Sequence, residues 1–243
     1  MPARTFAIGD IHGALRALEQ VITAIAPQKE DTLVFLGDYV DGWPESAQVI
    51  DYLTALQHRT NCIFIKGNHD MRCEEWLKGN DPGHFWARGG GRATVASYAG
   101  YTQEQTQQHL EFFAAMKYFY TDDMNRLYIH GGFTSNAGPA AELPAENVTT
   151  DRSLWELAVT MDQRVKSHPE LFPKRLALFH EIYIGHTPVL INYADMPVQA
   201  CNVWNVDTGA GFYGKLSALN TATKEIIQSD NVPTLYPGIK GRS

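Results

Sequence analysis

Thr32-Leu33-Val34-Phe35-Leu36-Gly37-Asp38-Tyr39-Val40-Asp41-Gly42 opens as an unbroken apolar run and closes on two carboxylates set among glycines. A short apolar run of this kind reads as a strand, and the Gly-Asp after it as the turn at its carboxyl end. The pattern recurs on either side. Arg4–Ile8 runs into Gly9-Asp10-Ile11-His12-Gly13, and Cys62–Ile65 runs into Lys66-Gly67-Asn68-His69-Asp70. Between the runs lie helix-like segments. Ala14–Ala26 places Leu15, Leu18, Val21, Ile22 and Ile25 at helical spacing, and Ala47–Leu56 reads as a second helix with Ser46 as its N-cap. Strand, helix, strand, helix, strand implies βαβ units and parallel strands.

Further along, Glu74–Lys78, Ala93–Tyr98 and Glu104–Lys117 fit helices. Arg126–His130, Glu181–Gly185, Ala200–Val206, Lys215–Leu219 and Glu225–Gln228 fit strands. A helix near Leu154–Lys166 interrupts those strands, with Ser153 and Glu156 in a capping-box pattern. Gly79–Gly91 and Gly131–Arg152 read as irregular, and the tail after Ser229 as free to fray. Two halves, each beginning with strands, point to two sheets packed face to face with helices outside. No linker divides them, so residues 1–243 are expected to form one α/β domain.

The totals limit the classes of function. Hydrophobic residues at 44% and charged residues at 19% are ordinary for a globular chain that buries a core. No apolar run approaches the roughly 18 residues of a membrane span. Met1-Pro2-Ala3-Arg4-Thr5 leads straight into a strand, leaving no room for a secretory signal. Cys62, Cys73 and Cys201 form no C-x-x-C pair, so a reducing cytoplasm is expected. A net charge of −7 argues against general binding to nucleic acid or to an anionic membrane. Anionic substrates remain open, because bound cations can reverse the sign of a site.

Carboxyl ends of parallel strands lie together, and ligand sites form there. The clusters after the first three runs should therefore meet, joined by His130-Gly131-Gly132 and Gly185-His186-Thr187 after later strands. Each cluster alone is an ordinary turn. Together they gather Asp10, His12, Asp38, Asn68, His130 and His186, with Asp41 and His69 beside them. Carboxylate, amide and imidazole donors without sulfur suit Mn²⁺, Fe or Zn²⁺. The other histidines, His58, His84, His109, His168 and His180, read as surface or core residues.

With these motifs in this order (G-D-I-H-G, G-D-Y-V-D-G, G-N-H-D, H-G-G, G-H-T), the chain resembles the calcineurin-like metallophosphoesterase family. Asp207-Thr208-Gly209-Ala210 and Gly214-Lys215-Leu216 resemble its branch of Ser/Thr protein phosphatases, bacterial and phage types included, and symmetrical dinucleoside tetraphosphatases. The resemblance implies a four-layer αββα sandwich of two mixed sheets with a dimetal site at the strand ends. It implies Asp10 and His12 on a first metal, Asp38 bridging, and Asn68, His130 and His186 on a second. Manganese is the expected metal, with iron or zinc as alternatives.

The resemblance further implies attack by a hydroxide held between the metals, with His69 as general acid and Asp41 orienting it. The expected function is phosphomonoester hydrolysis, with phosphoserine or phosphothreonine in proteins as the expected substrate. The alternative is a dinucleoside polyphosphate or a small phosphorylated metabolite. A binding module that kept the fold and lost catalysis is disfavoured, because every ligand position is retained. One position departs: where protein phosphatases of this branch carry an arginine after the second Asp, this chain has Gly42. Arg152 is the first candidate to grip phosphate instead, followed by Arg72, Arg88 and Arg92, with Arg164 and Arg175 weaker. Trp43, Trp86 and Phe133 are candidates for the pocket mouth.

Overall fold

The computed structural model of the chain describes residues 3–83, 86–192 and 194–242. His84 lies outside them. The first sheet runs in the order β10-β9-β1-β2-β3. Its β1 (Thr5–Ile8), β2 (Thr32–Phe35) and β3 (Asn61–Phe64) are parallel, as the βαβ reading requires. β9 (Ser217–Asn220) and β10 (Ile226–Gln228) are antiparallel additions on the β1 side. The second sheet runs β4-β5-β6-β8-β7. There β5 (Arg126–Ile129), β6 (Glu181–Ile184) and β8 (Val203–Asn205) are parallel, and β4 (Phe119–Thr121) and β7 (Val198–Ala200) are antiparallel edges.

The continuous apolar strands have a direct explanation: both faces of each sheet are covered. In β2, Leu33 and Phe35 face the outer core while Val34 faces the other sheet, joined there by Leu36. In β6, Ile182 and Ile184 face outward and Tyr183 inward. Tyr128 and Tyr183 stack between the sheets at 5.1 Å and 12°. Helices α1 (Leu15–Ile25), α2 (Ser46–Leu56) and α5 (Gln103–Ala115) cover the first sheet, and α6 (Ser153–Ser167) covers the second. The result is the αββα sandwich expected from the motifs. None of the described helices is long and apolar enough to cross a membrane.

The local expectations fail in instructive places. Ala200–Val206 is two strands, because Cys201 turns at φ 51° and folds β7 back on β8. Helix α3 (Asn68–Leu77) begins at the Gly-Asn-His-Asp cluster itself, well before Glu74. Ser46 makes no capping bond to α2, since its hydroxyl accepts from Asp41 N at 3.1 Å. At α6 the expected Ser153–Glu156 box is replaced by Asp151, whose carboxylate accepts from Ser153 N and Leu154 N. A short carboxylate two positions earlier satisfies the free N–H groups of the first turn and suits the helix dipole. α4 (Arg92–Ser97) lies between α3 and α5, and the short helix α7 (Val232–Leu235) follows Ser229. The segment after Ser229 packs on the first sheet's helices, with Val232 and Tyr236 buried in that core.

Candidate metal centre

Four loops and one helix start meet where β1, β2, β3, β5 and β6 end. Ile11 N and His12 N both donate to Asp38 O, at 3.0 and 2.9 Å, so the loops after β1 and β2 are laced together by backbone. Asp70, in the first turn of α3, joins the third. Its carboxylate accepts from Gly67 N and Asp38 N at 2.8 Å and from Tyr39 N at 2.9 Å. Across the sheet gap, His186 N donates to Asp10 Oδ2 at 3.1 Å. Gly67 and Gly185 make the close approach possible: a Cβ on either would collide with Asp38 Oδ1 or Asp10 Oδ1.

His12, Asp38, Asp41 and His186 have φ between 53° and 71°. Left-handed backbone at a residue other than glycine costs about 1–3 kcal/mol and persists only where the surroundings enforce it. Here the lacing enforces it, and all four of these side chains reach the cluster or its edge.

The carboxylate of Asp38 is central. Its Oδ2 stands 3.6 Å from His12 Nε2 and 3.3 Å from His130 Nε2. Two donors on one cation, each at about 2.1 Å, stand about 3.0–3.4 Å apart at tetrahedral or octahedral angles. Donor atoms of Asp38, His130 and His186 lie within 4.8 Å of one another, as do those of His12, Asp38 and His69. Asp38 belongs to both groups. Asp10 Oδ2 lies 3.8 Å from His12 Nε2, and Asn68 Oδ1 lies 3.3 Å from His130 Nε2.

The ring orientations suit a cation. His12 Nδ1 donates to Val40 O and Asp41 O at 3.0 and 2.9 Å, and His130 Nδ1 donates to Leu36 O at 2.7 Å. A backbone acceptor on Nδ1 fixes the tautomer and frees the Nε2 lone pair. His186 Nε2 is buried with no hydrogen-bond partner among the described residues, a costly state for a polar atom with no ligand to bind. Bare imidazole, carboxylate and amide donors, one of them orphaned, fit a divalent metal site.

The electrostatics agree. Burial, then the charges of Asp207 and Asp38, push Asp10 well above the usual carboxylate range. Burial also penalises a charged Asp38, but the surrounding imidazoles of His130, His69 and His12 outweigh it and hold that carboxyl well below the range. Burial opposes a proton on His130, yet the carboxylates of Asp38 and Asp10 raise it to about 10. Burial and neighbouring His130 push His186 down to about 3. A pocket that draws a proton onto one imidazole and strips it from the next is one that a cation would relieve.

His69 and Asp41 sit at the edge of the cluster. His69 Nδ1 meets Asp41 Oδ2 at 2.7 Å. The same oxygen accepts from Trp86 Nε1 at 2.6 Å, and Asp41 Oδ1 accepts from Thr94 Oγ1 at 2.6 Å. Thr94 was invisible to motif reading, as were the hold of Trp86 on Asp41, the lacing role of Asp70 and the buried neighbour Asp207. Asp70 and Asp207 stand inside quoted motifs and Trp86 reads as a candidate for the pocket mouth, whereas Thr94 carries no local signal. Trp43, Trp86 and Phe133 are buried in the core, so none forms a pocket mouth. Trp43 instead donates to Ala210 O at 2.7 Å.

The arginines scatter. Arg152 is exposed and donates to Thr187 Oγ1 at 3.1 Å, next to His186. Arg72, Arg88 and Arg92 are exposed and make no ion pair among the described residues. Arg175 is spent on Phe133 O and Ser153. A different arginine, Arg242, reaches the cluster and places Nη1 2.9 Å from His12 Nε2.

Comparison with known proteins places this geometry. The sequence profile of the calcineurin-like phosphoesterase family matches residues 3–210. The asymmetrical bis(5'-nucleosyl)-tetraphosphatase PrpE of Oceanobacillus iheyensis is 25% identical over 234 residues, covering 90% of this chain and 89% of that protein. Among solved structures, one proposed to be a diadenosine tetraphosphatase superposes with a TM-score of 0.61 at 18% identity, covering 93% of this chain and 92% of that one. A protein serine/threonine phosphatase from Saccharomyces cerevisiae gives 0.58 at 15% identity, covering 98% and 82%. Such distant structures establish the shared fold alone. With the profile spanning both the strands and the cluster at their ends, the chain belongs to the calcineurin-like phosphoesterase family and is a hydrolase of phosphoric ester bonds.

Proposed function

We propose that this chain hydrolyses a dinucleoside polyphosphate or a closely related phosphorylated nucleotide at a two-metal centre. The observation that carries the two-metal reading is Asp38 Oδ2, set between His12 Nε2 and His130 Nε2. Asp10, His12 and Asp38 would hold one divalent cation, and Asp38, Asn68, His130 and His186 the other. Manganese suits this oxygen and imidazole set, as would iron or zinc. When bound, such a pair neutralises phosphoryl oxygens and supplies a nucleophile from water near neutral pH.

The protein's own residues do the rest. Backbone lacing through Asp70 and Asp10 holds the donor set before substrate arrives, so little reorganisation is needed at reaction. His69, its Nδ1–H committed to Asp41, has its second ring nitrogen free to deliver a proton to the leaving oxygen. Asp41 stabilises the charged ring, and Trp86 and Thr94 keep that carboxylate aimed.

The nucleotide preference is supported by the whole-length likeness to a named bis(5'-nucleosyl)-tetraphosphatase and by glycine at position 42. The second reading is a phosphomonoesterase acting on phosphoserine or phosphothreonine, favoured by the G-D-Y-V-D, H-G-G and G-H-T motifs. The free cysteines Cys62, Cys73 and Cys201 support a cytoplasmic setting.

A panel with added Mn²⁺ separates the readings. It compares diadenosine tetraphosphate, a phosphopeptide, p-nitrophenyl phosphate and its bis-ester. The expected result is the highest kcat/KM on the dinucleotide. A phosphopeptide turned over at least as well would shift the assignment to the second reading. No turnover of any of them by protein with two metals bound would overturn both.

A further inference from the structure

Gly42 follows Asp41 directly and has φ +127°, a conformation that side chains rarely adopt. A Cβ there would lie 3.0 Å from Arg242 Cγ and 3.2 Å from His12 O. The room that a side chain at position 42 would use is therefore held by an arginine from the far end of the described sequence.

That arginine is seated along its length. Arg242 N donates to Gly211 O at 2.8 Å, and its guanidinium lies 5.0 Å from the centre of the Phe212 ring. Gly241 is pressed onto Trp43, where a Cβ would meet Cζ2 at 2.8 Å, and Trp43 stacks on Tyr236 at 5.1 Å. Val232 and Tyr236 anchor the segment in the core. Residues 232–242 thus form a strap whose last contact is His12.

The donors of Arg242 are not fully spent. Nη1 donates to His12 Nε2 at 2.9 Å, and Nε is buried with no acceptor among the described residues. When His12 gives its Nε2 lone pair to a cation, the Nη1–H loses its acceptor as well. An anion beside His12 would satisfy both. Asp10, Asp38, Asp41 and Asp207 carry up to four buried negative charges, which two divalent cations only balance. The guanidinium is the additional positive charge that an anionic substrate meets, and its planar fork matches phosphate oxygens.

We propose that Arg242, delivered over Gly42 by the strap 232–242, is the arginine that binds the substrate phosphoryl group. This rests on the phosphoesterase assignment above, and the test separates the two.

The test uses the full chain loaded with Mn²⁺ and compares wild type, R242A, R242K, G42A and the double variant G42A/R242A. Calorimetry gives the affinity for inorganic phosphate, and kinetics on diadenosine tetraphosphate and p-nitrophenyl phosphate give kcat, KM and phosphate Ki. Metal content and Tm are recorded for each. R242A should keep two metals and bind phosphate about 10–100-fold more weakly. R242K should fall between, keeping the charge without the fork. G42A should weaken phosphate binding in wild type by displacing Arg242, yet add little in an R242A background, a coupling that a merely structural role would not give.

Unchanged phosphate affinity and Ki in R242A, with wild type active, would overturn the proposal. So would tighter metal binding or higher kcat/KM in R242A, which would make the strap a plug on His12. Should R242A fail to fold, R242K and G42A decide by the same phosphate affinities. Wild type that binds two metals but neither binds phosphate nor hydrolyses any ester would instead bring down the reading of the site itself.

Discussion

His69 enters the site with one ring nitrogen committed to Asp41, and Asp41 is in turn held by Trp86 and Thr94. A ring fixed in this way is suited to one proton transfer. His69→Asn is expected to keep both metals and to lose about 10²–10⁴-fold in kcat on esters with a poor leaving group. The loss should be much smaller on p-nitrophenyl phosphate, whose leaving oxygen needs little help. Equal losses on both substrates would remove the acid role. Thr94→Val removes the hydroxyl that serves Asp41 Oδ1 and receives Asp41 N. It should lower kcat by roughly tenfold with KM little changed, consistent with loosened support of a proton donor. A change confined to KM would say that Asp41 is not aimed by Thr94.

At the scale of elements, the parallel strands are tied at their starts as well as at their functional ends. Asp31, buried just before β2, accepts from Arg4 N at 2.8 Å, Arg4 Nε at 3.1 Å and Gln28 N at 2.9 Å. It joins the beginnings of β1 and β2. Burial works against its charge, but these bonds and the Arg4 guanidinium prevail and hold the carboxyl below its ordinary value. A depressed folded-state value means that the stabilisation is complete above the unfolded value of about 3.9 and is lost as pH falls through the folded one. Asp31→Asn should cost about 1–3 kcal/mol at neutral pH in urea unfolding. The gap to wild type should narrow as pH falls below the unfolded value and close once it has passed the lowered folded one. A gap independent of pH would mean that the charge of Asp31 contributes nothing.

The whole molecule separates its stability from its chemistry. The two outer cores and the inter-sheet core are built from apolar strands and helices, and the candidate metal ligands sit at the rim where strands end. Chelation should therefore abolish hydrolysis while leaving far-UV dichroism intact. Cations should still stabilise, because they relieve the repulsion among Asp10, Asp38 and Asp207. At Mn²⁺ about 100-fold above its Kd, linkage contributes about 2.7 kcal/mol, or roughly 5–10 °C in Tm for a chain of this size. No change in Tm on adding Mn²⁺ would show that the cluster binds none.

Much of this was legible before the structure. Apolar runs ending in Gly-Asp, Gly-Asp and Gly-Asn-His located β1, β2 and β3 and the candidate donor residues after them, since strand periodicity and turn chemistry are local properties. The donor set could be assembled because parallel strands bring their carboxyl ends together, a rule of topology that needs no coordinates. The helix start at Asn68 and the hairpin at Cys201 were missed because each depends on what lies across from it. Asp70 bonds to two loops at once, and Cys201 N is fixed by Asp162 Oδ1 on α6 at 2.8 Å.

By itself, then, the sequence determined the α/β layering, the parallel run of the first three strands, and the chemistry of the candidate donors after them. The tertiary structure decided which oxygen of Asp38 stands between His12 and His130, which groups aim Asp41, and that Arg242 occupies the room beside Gly42. The division follows from range. Hydrophobic period and turn residues act over a few positions and can be read along the chain. The contact of Arg242 with His12 spans 230 positions and exists because the strap, Trp43 and Phe212 pack into one place.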